Sequence, residues 1–400
     1  MRISTPRRTH GDNRVRFSAD VTWETSDRPG VEIHYEVLAE HEAALSPRLS
    51  ESFVLAAVPI AQHAGEARVF IDDELCPLLA ERLTGAQLLQ AQWHGIPRPC
   101  RVEARAFSPL TPSRDGAGVF LSGGADSLFT LLHNHDRFAQ EGHPRRYTHG
   151  LLINGFDLDV PNLAGGHTIF DRFRQQLHPV ATDMGVTLLP VWTNARAIDP
   201  SLGLYEKFHF GALLASAAHV FTGAIARFGI SSDNTWEYLG HRGSHPLLMG
   251  NFTSSAIDCD YEGASISRMD KIRRLVQSDA LMRILRVCYM VGQIPEGQLN
   301  CGRCRKCVIT LLEILAAGGL DRALSFDNPQ LTPALVDQSV VNAPTLFEYY
   351  DDLIEPLDAA GHPELANAIR KKIRHGEWGV RWRKRWSLTK ELAGTIIRRR

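Results

Sequence analysis

Six consecutive residues carry the clearest chemical signal in this 400-residue chain: Ser122, Gly123, Gly124, Ala125, Asp126 and Ser127. They follow a short apolar segment and precede a helical pattern, which predicts a strand, a tight turn and a helix start. The glycines permit positive φ and leave space beside the backbone, and the first N–H groups of a helix attract anions. The serines add hydroxyl donors, and Asp126 suits a phosphate-bound Mg²⁺ ion or a helix cap. The pattern predicts a phosphate-binding loop.

Two other phosphate-binding motifs do not fit this loop. A Walker A loop requires a lysine before its final serine or threonine, and a dinucleotide fingerprint requires G-x-G-x-x-G; the segment has neither. The remaining alternative is an ordinary capped helix that follows a strand and binds no ligand.

Four cysteines crowd into positions 288–307: Cys288, Cys301, Cys304 and Cys307. In an intracellular chain such crowding favours a metal over disulfides. Four thiolates form a tetrahedral structural zinc site, whose negative charge Arg303, Arg305 and Lys306 would offset. An iron–sulfur cluster and free thiols are the alternatives. The other cysteines stand apart, and we expect them to be buried apolar residues: Cys76, Cys100 and Cys259.

The Ser-Gly-Gly-Ala-Asp-Ser run resembles the SGGxDS motif of the PP-loop superfamily, the adenine nucleotide α-hydrolases. Together with Cys288-Tyr289 and the Cys301–Cys307 run, it resembles the 7-cyano-7-deazaguanine synthase family over roughly residues 115–320. The resemblance implies ATP cleavage between the α- and β-phosphates, a Cys₄ zinc site, and an adenylated carboxylate that ammonia attacks. The chain departs from that family, since about 110 residues precede the loop, about 80 follow the cysteines, and the gap after Cys288 is longer than expected.

These motifs predict an enzyme that uses ATP and Mg²⁺, contains Zn²⁺, and releases AMP and pyrophosphate. The predicted reaction adenylates a small-molecule carboxylate or amide and then transfers nitrogen from ammonia or an amine, as a carbon–nitrogen ligase does. One alternative is sulfur insertion into a tRNA base or a small metabolite, and another is a nucleotide- or RNA-binding module without turnover. The sequence does not indicate the acceptor or the oligomeric state.

Other candidate residues follow predicted strands, where the ligands of parallel sheets bind. The second such strand is followed by a short segment whose backbone could edge the adenine: Asn154, Gly155 and Phe156. After the fourth strand, Asp233 or Glu237 could share Mg²⁺ with Asp126. In both places the alternative is an ordinary turn.

A glycine-rich loop and a basic helix complete the predicted site. His241 and His245 lie in the loop, where either could hold the substrate or move a proton. Arg268 and Lys271 share one face of the helix and are predicted to contact the nucleotide, although a solvated basic face is the alternative. The residues predicted to be catalytic are Asp126, Ser127, His245 and Lys271.

The middle of the chain alternates between short apolar runs and helical periods, which predicts an α/β fold with a parallel sheet. Its predicted strands are Gly118–Leu121, Gly150–Asn154, Val186–Trp192 and Ile230–Ser232. Its predicted helices are Ser127–His135, Thr168–Met184 and Phe208–Phe228.

We predict four domains along the chain. Residues 1–110 form an α/β accessory module, and residues 111–325 form the PP-loop ATP-binding domain with the zinc site. Residues 326–375 form a helical extension, and residues 376–400 form a basic tail. The module is predicted to contain strands at Arg14–Phe17, Val31–Val37, Ala67–Ile71 and Arg101–Phe107, and a helix at Leu75–Leu89.

Composition narrows the class of protein. An apolar fraction of 44% and a charged fraction of 22% are those of a globular chain, and a net charge of −1 argues against a general affinity for nucleic acid. No apolar run approaches the roughly 20 residues of a membrane span. The first residues lack the apolar region of a signal peptide, so we expect a cytoplasmic protein.

The tail has a different character from the rest of the chain. From Arg370 to Arg400, twelve basic residues oppose two acidic ones, a net +10. Trp378, Trp382 and Trp386 recur every four residues and would share one helical face. Such a helix could dock on the protein itself, grip RNA, or lie on an anionic membrane.

Deleting residues 376–400 tests the docking interpretation. We expect ATP cleavage to stay largely unchanged and the melting temperature to fall modestly, because the tryptophan face would lose its packing. Thermal denaturation and pyrophosphate release measure the two effects. A truncated protein that keeps its stability but loses salt-sensitive binding to RNA or to anionic liposomes would overturn this interpretation.

Overall fold

The computed structural model of the chain describes residues 1–111, 114–140, 142–156, 166–327, 329–339 and 349–374. The chain divides into two compact units, Met1–Ser265 and Ile266–Arg400. The basic tail predicted at 376–400 lies outside the described residues. Within the described ranges, no helix combines the length and apolar character needed to cross a membrane.

One sheet organises the first unit, and eleven strands of the described residues belong to it. In chain order the strands are β1 Arg2–Ile3, β2 Arg7–Gly11, β3 Arg14–Thr22, β4 Val31–Leu38, β5 Arg68–Leu75, β6 Arg101–Phe107, β7 Gly116–Phe120, β8 Tyr147–Asn154, β9 Thr187–Thr193, β10 Ile225–Ser231 and β11 Asp258–Glu262. The helices of this unit are α1 Ser50–Ala64, α2 Pro77–His94, α3 Ala125–Arg137, α4 Gly166–Asp183, α5 Leu202–Leu204, α6 Phe210–His219 and α7 Pro246–Met249. The mostly parallel sheet and its helices confirm the predicted α/β class.

The strand order is β11-β10-β7-β8-β9-β4-β3-β1-β5-β6, with β2 beside β3. Strands β7 to β11 all run parallel to one another. From the central β7 the chain passes to β8 and β9 on one side and only later to β10 and β11 on the other. The order in which the chain adds strands to the sheet therefore reverses between β7 and β10. Such a reversal opens a crevice at the carboxyl ends of these two strands.

Residues 1–110 and the central segment share this sheet. Strand β4 pairs antiparallel with β9, with Tyr35 opposite Thr193. Beneath the junction, the buried hydroxyl of Tyr35 lies 2.9 Å from Ser216 Oγ on α6. Helix α1 is buried along almost its whole length and packs in the same apolar core. The predicted boundary near residue 110 therefore separates segments that share one sheet, and the four-domain scheme stays a prediction.

The structure differs from the sequence-based predictions at two helices, one predicted too long and one not predicted. The helix predicted at Phe208–Phe228 is wrong in its second half, because α6 ends at His219 and β10 begins at Ile225. Tight turns separate them, and at Gly223 a side chain would meet the carbonyl oxygen of Leu45 at 2.3 Å. Helix α1 was not predicted, since a helix that is apolar on every face has no periodic contrast.

The second unit is helical. Its helices are α8 Arg268–Leu275, α9 Asp279–Ile284, α10 Arg305–Ala316, α11 Pro333–Gln338 and α12 Ile354–Ala359, and residues 363–374 are also helical. Val308 and Leu312 of α10 pack with Leu357 and Ile369 in a buried apolar cluster. The described part of the extension predicted to be helical, residues 326–375, thus contains α11, α12 and the helical residues 363–374.

One side chain, that of Asn194, adds two hydrogen bonds to the junction of β4 and β9. Asn194 accepts a hydrogen bond from His34 N at 2.8 Å and donates one to Glu32 O at 2.9 Å. We expect Asn194→Ala to lower the free energy of unfolding by about 1–2 kcal/mol, because two backbone groups lose their partners. Urea denaturation measures the change, with Asn251→Ala as the control because Asn251 donates one exposed bond, to Leu247 O. Equal effects of the two substitutions would contradict this role for Asn194.

Candidate functional site

The Ser122–Ser127 loop connects β7 to α3 at the crevice. Gly123 has φ = 80°, a left-handed conformation that favours glycine. Gly124 is the N-cap residue of α3 and provides no side-chain cap, although its carbonyl accepts the first helical hydrogen bond from Leu128 N at 3.0 Å. The first N–H groups of a 13-residue helix therefore have no side-chain cap from the N-cap residue, a geometry that suits an anion.

Both serine hydroxyls lie beside this helix start. Ser122 Oγ is 3.3 Å from Ser127 Oγ and 3.3 Å from the Gly124 amide nitrogen, which donates to it. Ser127 is buried and donates to Gly124 O at 3.0 Å, whereas Ser122 is exposed. A Cβ atom on Gly124 would lie 3.3 Å from Ser122 Oγ, which leaves little room for a larger residue. Three of the six predicted loop residues, Ser122, Gly124 and Ser127, thus form one compact group.

Carboxylates gather around Tyr261 of β11, at the carboxyl end of the sheet. The pKa of Tyr261 is raised to about 12. Burial is the largest cause and the negative charges of Asp233 and Asp126 add to it, whereas the hydroxyl of Ser232, which donates to the phenol oxygen at 3.1 Å, lowers the pKa. Asp126 and Asp233 therefore act on the same phenol, although they come from α3 and from the loop after β10. The predicted partner Glu237 lies in an exposed 3₁₀ turn.

The carboxyl end of β8 is closely packed. Gly155 has φ = 115°, and a Cβ atom there would lie only 1.8 Å from Thr193 O, so no other residue fits without backbone movement. Asn154 and Phe156 on either side are both 3% exposed. The amide nitrogen of the Asn154 side chain is buried and has no hydrogen-bond partner among the described residues. The segment predicted to edge the adenine thus contains an unused buried donor.

The histidines of the Gly240–Leu247 loop pack against an aromatic ring. His241 stacks on Trp93 with ring centroids 4.6 Å apart, and His245 meets the edge of the same ring at 4.8 Å. The side chain of His245 caps α7 by accepting from Leu247 N at 3.2 Å, and burial lowers its pKa. Arg242 in the same loop is 3.1 Å from Asp233. The loop therefore reaches the end of β10, while a catalytic role of His245 stays a prediction.

Arg268 and Lys271 lie on α8 in the second unit, whereas the loop belongs to the first unit. Arg268 Nε donates to the buried Glu313 at 2.8 Å. Lys271 is 1% exposed, so a solvated basic face is the wrong interpretation for this residue. Their predicted contacts with the nucleotide stay predictions.

The four predicted cysteines form a group that could hold zinc, with all sulfurs within 4.8 Å of one another. Cys304 Sγ lies 3.4 Å from Cys307 Sγ and 3.8 Å from Cys288 Sγ, and Cys301 Sγ lies 3.9 Å from Cys307 Sγ. With Zn–S bonds of about 2.3 Å, a tetrahedral site separates its sulfurs by about 3.8 Å. A polynuclear iron–sulfur cluster inserts several atoms between its thiolates, so the close spacing favours a single ion.

A buried asparagine that the sequence analysis missed joins the two halves of the cysteine group. Asn300 Oδ1 accepts from Val287 N at 2.8 Å and from Cys288 N at 3.1 Å, and its Nδ2 donates to Leu285 O at 2.7 Å. Because Cys301 follows directly, this side chain sets the distance from Cys288 to the three later cysteines. An isolated asparagine beside a cysteine knuckle gives no periodic signal in a sequence.

Hydrogen bonds between the thiols of the cysteine group shift their pKa values strongly. Hydrogen bonding with Cys288 and Cys307 lowers the pKa of Cys304 to about 2, and the bond with Cys304 raises the pKa of Cys288 to about 12. Cys288 and Cys304 therefore do not ionise equally side by side, and a divalent cation would remove the repulsion between their thiolates. Cys304 also caps α10, whose N-terminus favours a thiolate.

Comparisons with protein-family models, with curated proteins and with solved structures find no match to this chain.

The cysteine group makes a direct prediction about metal content. Purified protein should contain about one equivalent of zinc, and Cys304→Ser should abolish the cooperative unfolding of the second unit, because structural zinc supplies folding free energy. Elemental analysis and calorimetry measure the two effects. Cys259→Ser is the control, since Cys259 lies on β11 outside the group. Iron in place of zinc, or equal effects of the two substitutions, would refute the assignment.

Proposed function

We propose that the chain is an ATP-dependent enzyme of the PP-loop type, which adenylates a carboxylate or amide and then transfers nitrogen to the activated carbon. One observation carries the proposal: the Ser122–Ser127 loop and the N-terminus of α3, which Gly124 leaves without a side-chain cap, lie where the strand order reverses. This is where parallel sheets bind ligands. The resemblance of the loop to the SGGxDS motif implies cleavage of ATP between the α- and β-phosphates.

Each part of the crevice has a role in the proposed first step. The helix N-terminus and the hydroxyls of Ser122 and Ser127 hold the pyrophosphate as it leaves. Asp126, with Asp233, would hold Mg²⁺, which neutralises charge on the phosphates. The closely packed Asn154–Phe156 backbone edges the adenine.

The proposed reaction has two balanced steps. An oxygen of the acceptor attacks the α-phosphorus of ATP, the α–β bridging bond breaks, and pyrophosphate leaves with the electron pair. The nitrogen of ammonia or an amine then attacks the activated carbon and AMP leaves, while nitrogen loses a proton. A carboxylate acceptor gives an amide in this way. An amide acceptor that is adenylated on its oxygen gives a nitrile without a second nitrogen: AMP leaves with the electron pair of the carbon–oxygen bond, and the amide nitrogen loses its two protons.

We assign the cysteine group a structural role in this enzyme. Four thiolates complete a tetrahedral zinc shell and leave no position for water or substrate, whereas catalytic zinc keeps one position open. Zinc in this group would hold the Cys288 segment to the start of α10 and take no part in ATP cleavage.

The isolated cysteines favour nitrogen over sulfur transfer. A sulfur carrier needs an accessible thiolate. Cys76 is fully buried, and burial raises the pKa of Cys100 to about 11. Burial likewise raises the pKa of Cys259 far above its usual range. These three thiols therefore lack the exposure or the ionisation that a persulfide carrier requires.

The nucleotide products test the proposal. With ATP, Mg²⁺ and a panel of carboxylates and amides with ammonia, we expect AMP and pyrophosphate in equal amounts. Asp126→Asn should lower the rate by roughly 100-fold or more, because it removes charge stabilisation from the transition state while keeping the side-chain volume. Chromatography of the nucleotides with a pyrophosphate assay measures both.

A matched substitution at the other end of α3 serves as the control. Asp136 is exposed near the helix C-terminus, and Asp136→Asn should retain the wild-type rate. ADP and phosphate as products would refute the PP-loop assignment. Tight ATP binding without any pyrophosphate would instead support the alternative of a nucleotide-binding module without turnover.

A further inference from the structure

A buried arginine lies at the carboxyl end of β9. Arg196 belongs to a 3₁₀ turn, Ala195–Ile198, that follows the strand, and it is only 6% exposed. Its Nη1 donates to Phe156 O at 2.7 Å, and its guanidinium carbon lies 4.1 Å above the ring of Tyr205. One hydrogen bond and one ring therefore hold the guanidinium against the segment that follows β8.

No described carboxylate forms an ion pair with Arg196. The nearby acid is Asp199, whose charge and that of Arg196 both act on His209. Asp199 is already engaged, since Arg28 lies 3.0 Å from its carboxylate and Ser201 N donates to it at 3.0 Å. His209 is fully buried, and burial lowers its pKa to about 4, so its ring is neutral and adds no second positive charge beside Arg196. Buried charges are almost always paired, so Arg196 is an exception among the described residues that calls for a partner.

The unpaired groups of Arg196 share one edge of its guanidinium. Nε is buried and has no hydrogen-bond partner in the described part of the chain. Nη1 is the nitrogen that bonds Phe156 O, and Nη2 forms no hydrogen bond with any described residue. The N–H groups of Nε and Nη2 point in the same direction, and this pair is the fork that grips two oxygens of a carboxylate or phosphate.

We propose that Arg196 binds an oxyanion, a carboxylate or a phosphate, through Nε and Nη2. The proposal deepens the proposed function and rests on it for the source of the oxyanion, which is either the acceptor's carboxylate or a phosphate of ATP. Arg196 touches the backbone of Phe156, within the segment assigned to the adenine. The unpartnered Nδ2 of Asn154 is a second buried donor at the carboxyl end of the adjacent strand. The positive guanidinium favours an anionic ligand at the end of β9, and the amide offers one further hydrogen bond at the end of β8.

Binding and stability of substituted proteins test the proposal. Acetate and inorganic phosphate are the probes, and isothermal titration measures their affinities. Arg196→Met should weaken the bound probe at least tenfold, and Arg196→Lys should also weaken it because an ammonium lacks the fork. Without a probe, Arg196→Met should melt at the wild-type temperature or above it, because an unpaired buried charge has been removed.

Arg14 supplies the matched control. Its guanidinium also lies over an aromatic ring, 3.8 Å from Trp192, but it is paired with Glu36 at 2.6 Å. Arg14→Met should leave probe affinity unchanged and lower the melting temperature. Failure of both probes to bind the wild-type protein would overturn the proposal. So would a loss of stability in unliganded Arg196→Met as large as that in Arg14→Met, since Arg196 would then be a structural residue.

A non-cleavable ATP analogue separates the two sources. If α,β-methylene-ATP loses affinity in Arg196→Met, the oxyanion is a phosphate. If that affinity is unchanged while Arg196→Met raises the KM for a carboxylate acceptor, the oxyanion belongs to the acceptor. Binding of acetate or phosphate at Arg196 without any ATP binding would leave this site intact and refute the proposed function alone. ATP binding without any effect at Arg196 would refute this inference alone.

Discussion

The central position of β7 is the constraint on which the first unit depends. Its neighbours are β8 on one side and β10 on the other, and the chain must leave β7 towards one side and return later to the other. Loops that diverge in this way cannot cover the carboxyl ends of both strands, so a crevice opens there. The glycine turn at Gly123 and the cap position at Gly124 lie at this point. Backbone geometry, more than any single side chain, therefore suits the crevice to an anion.

The rim of the crevice combines groups from distant parts of the chain. Asp126 comes from α3, Asp233 follows β10, and Tyr261 responds to both charges. On the opposite side Gly155 packs so closely against Thr193 that the ends of β8 and β9 form one surface. In the proposed reaction the side with Asp126 and Asp233 would bind the metal and the phosphates. The side with Asn154 and Arg196 would bind the rest of the substrates. The N-terminal strands support this arrangement, because β4 pairs with the edge of β9 that faces away from β8.

Motifs with a local signature were predictable from the sequence, whereas residues defined by tertiary contacts were not. The glycine turn, the strand at Arg101–Phe107 and the cysteine group all depend on residue type and short spacing. Helix α1 was missed because it is buried on every face, and α6 was extended too far because apolar runs do not distinguish a helix from a buried strand. Asn300 and Arg196 act through backbone carbonyls and amides that come close only in the fold. The tail lies outside the described residues, so its role stays a prediction.

A crystal structure with α,β-methylene-ATP and Mg²⁺ is the most direct test of the central claim. The account predicts that the β- and γ-phosphates lie against the N-terminus of α3, within hydrogen-bond distance of Ser122 and Ser127, with Mg²⁺ bound by Asp126. It also predicts the adenine beside the Asn154–Phe156 backbone. A triphosphate bound elsewhere, with the Ser122–Ser127 loop empty, would contradict the account.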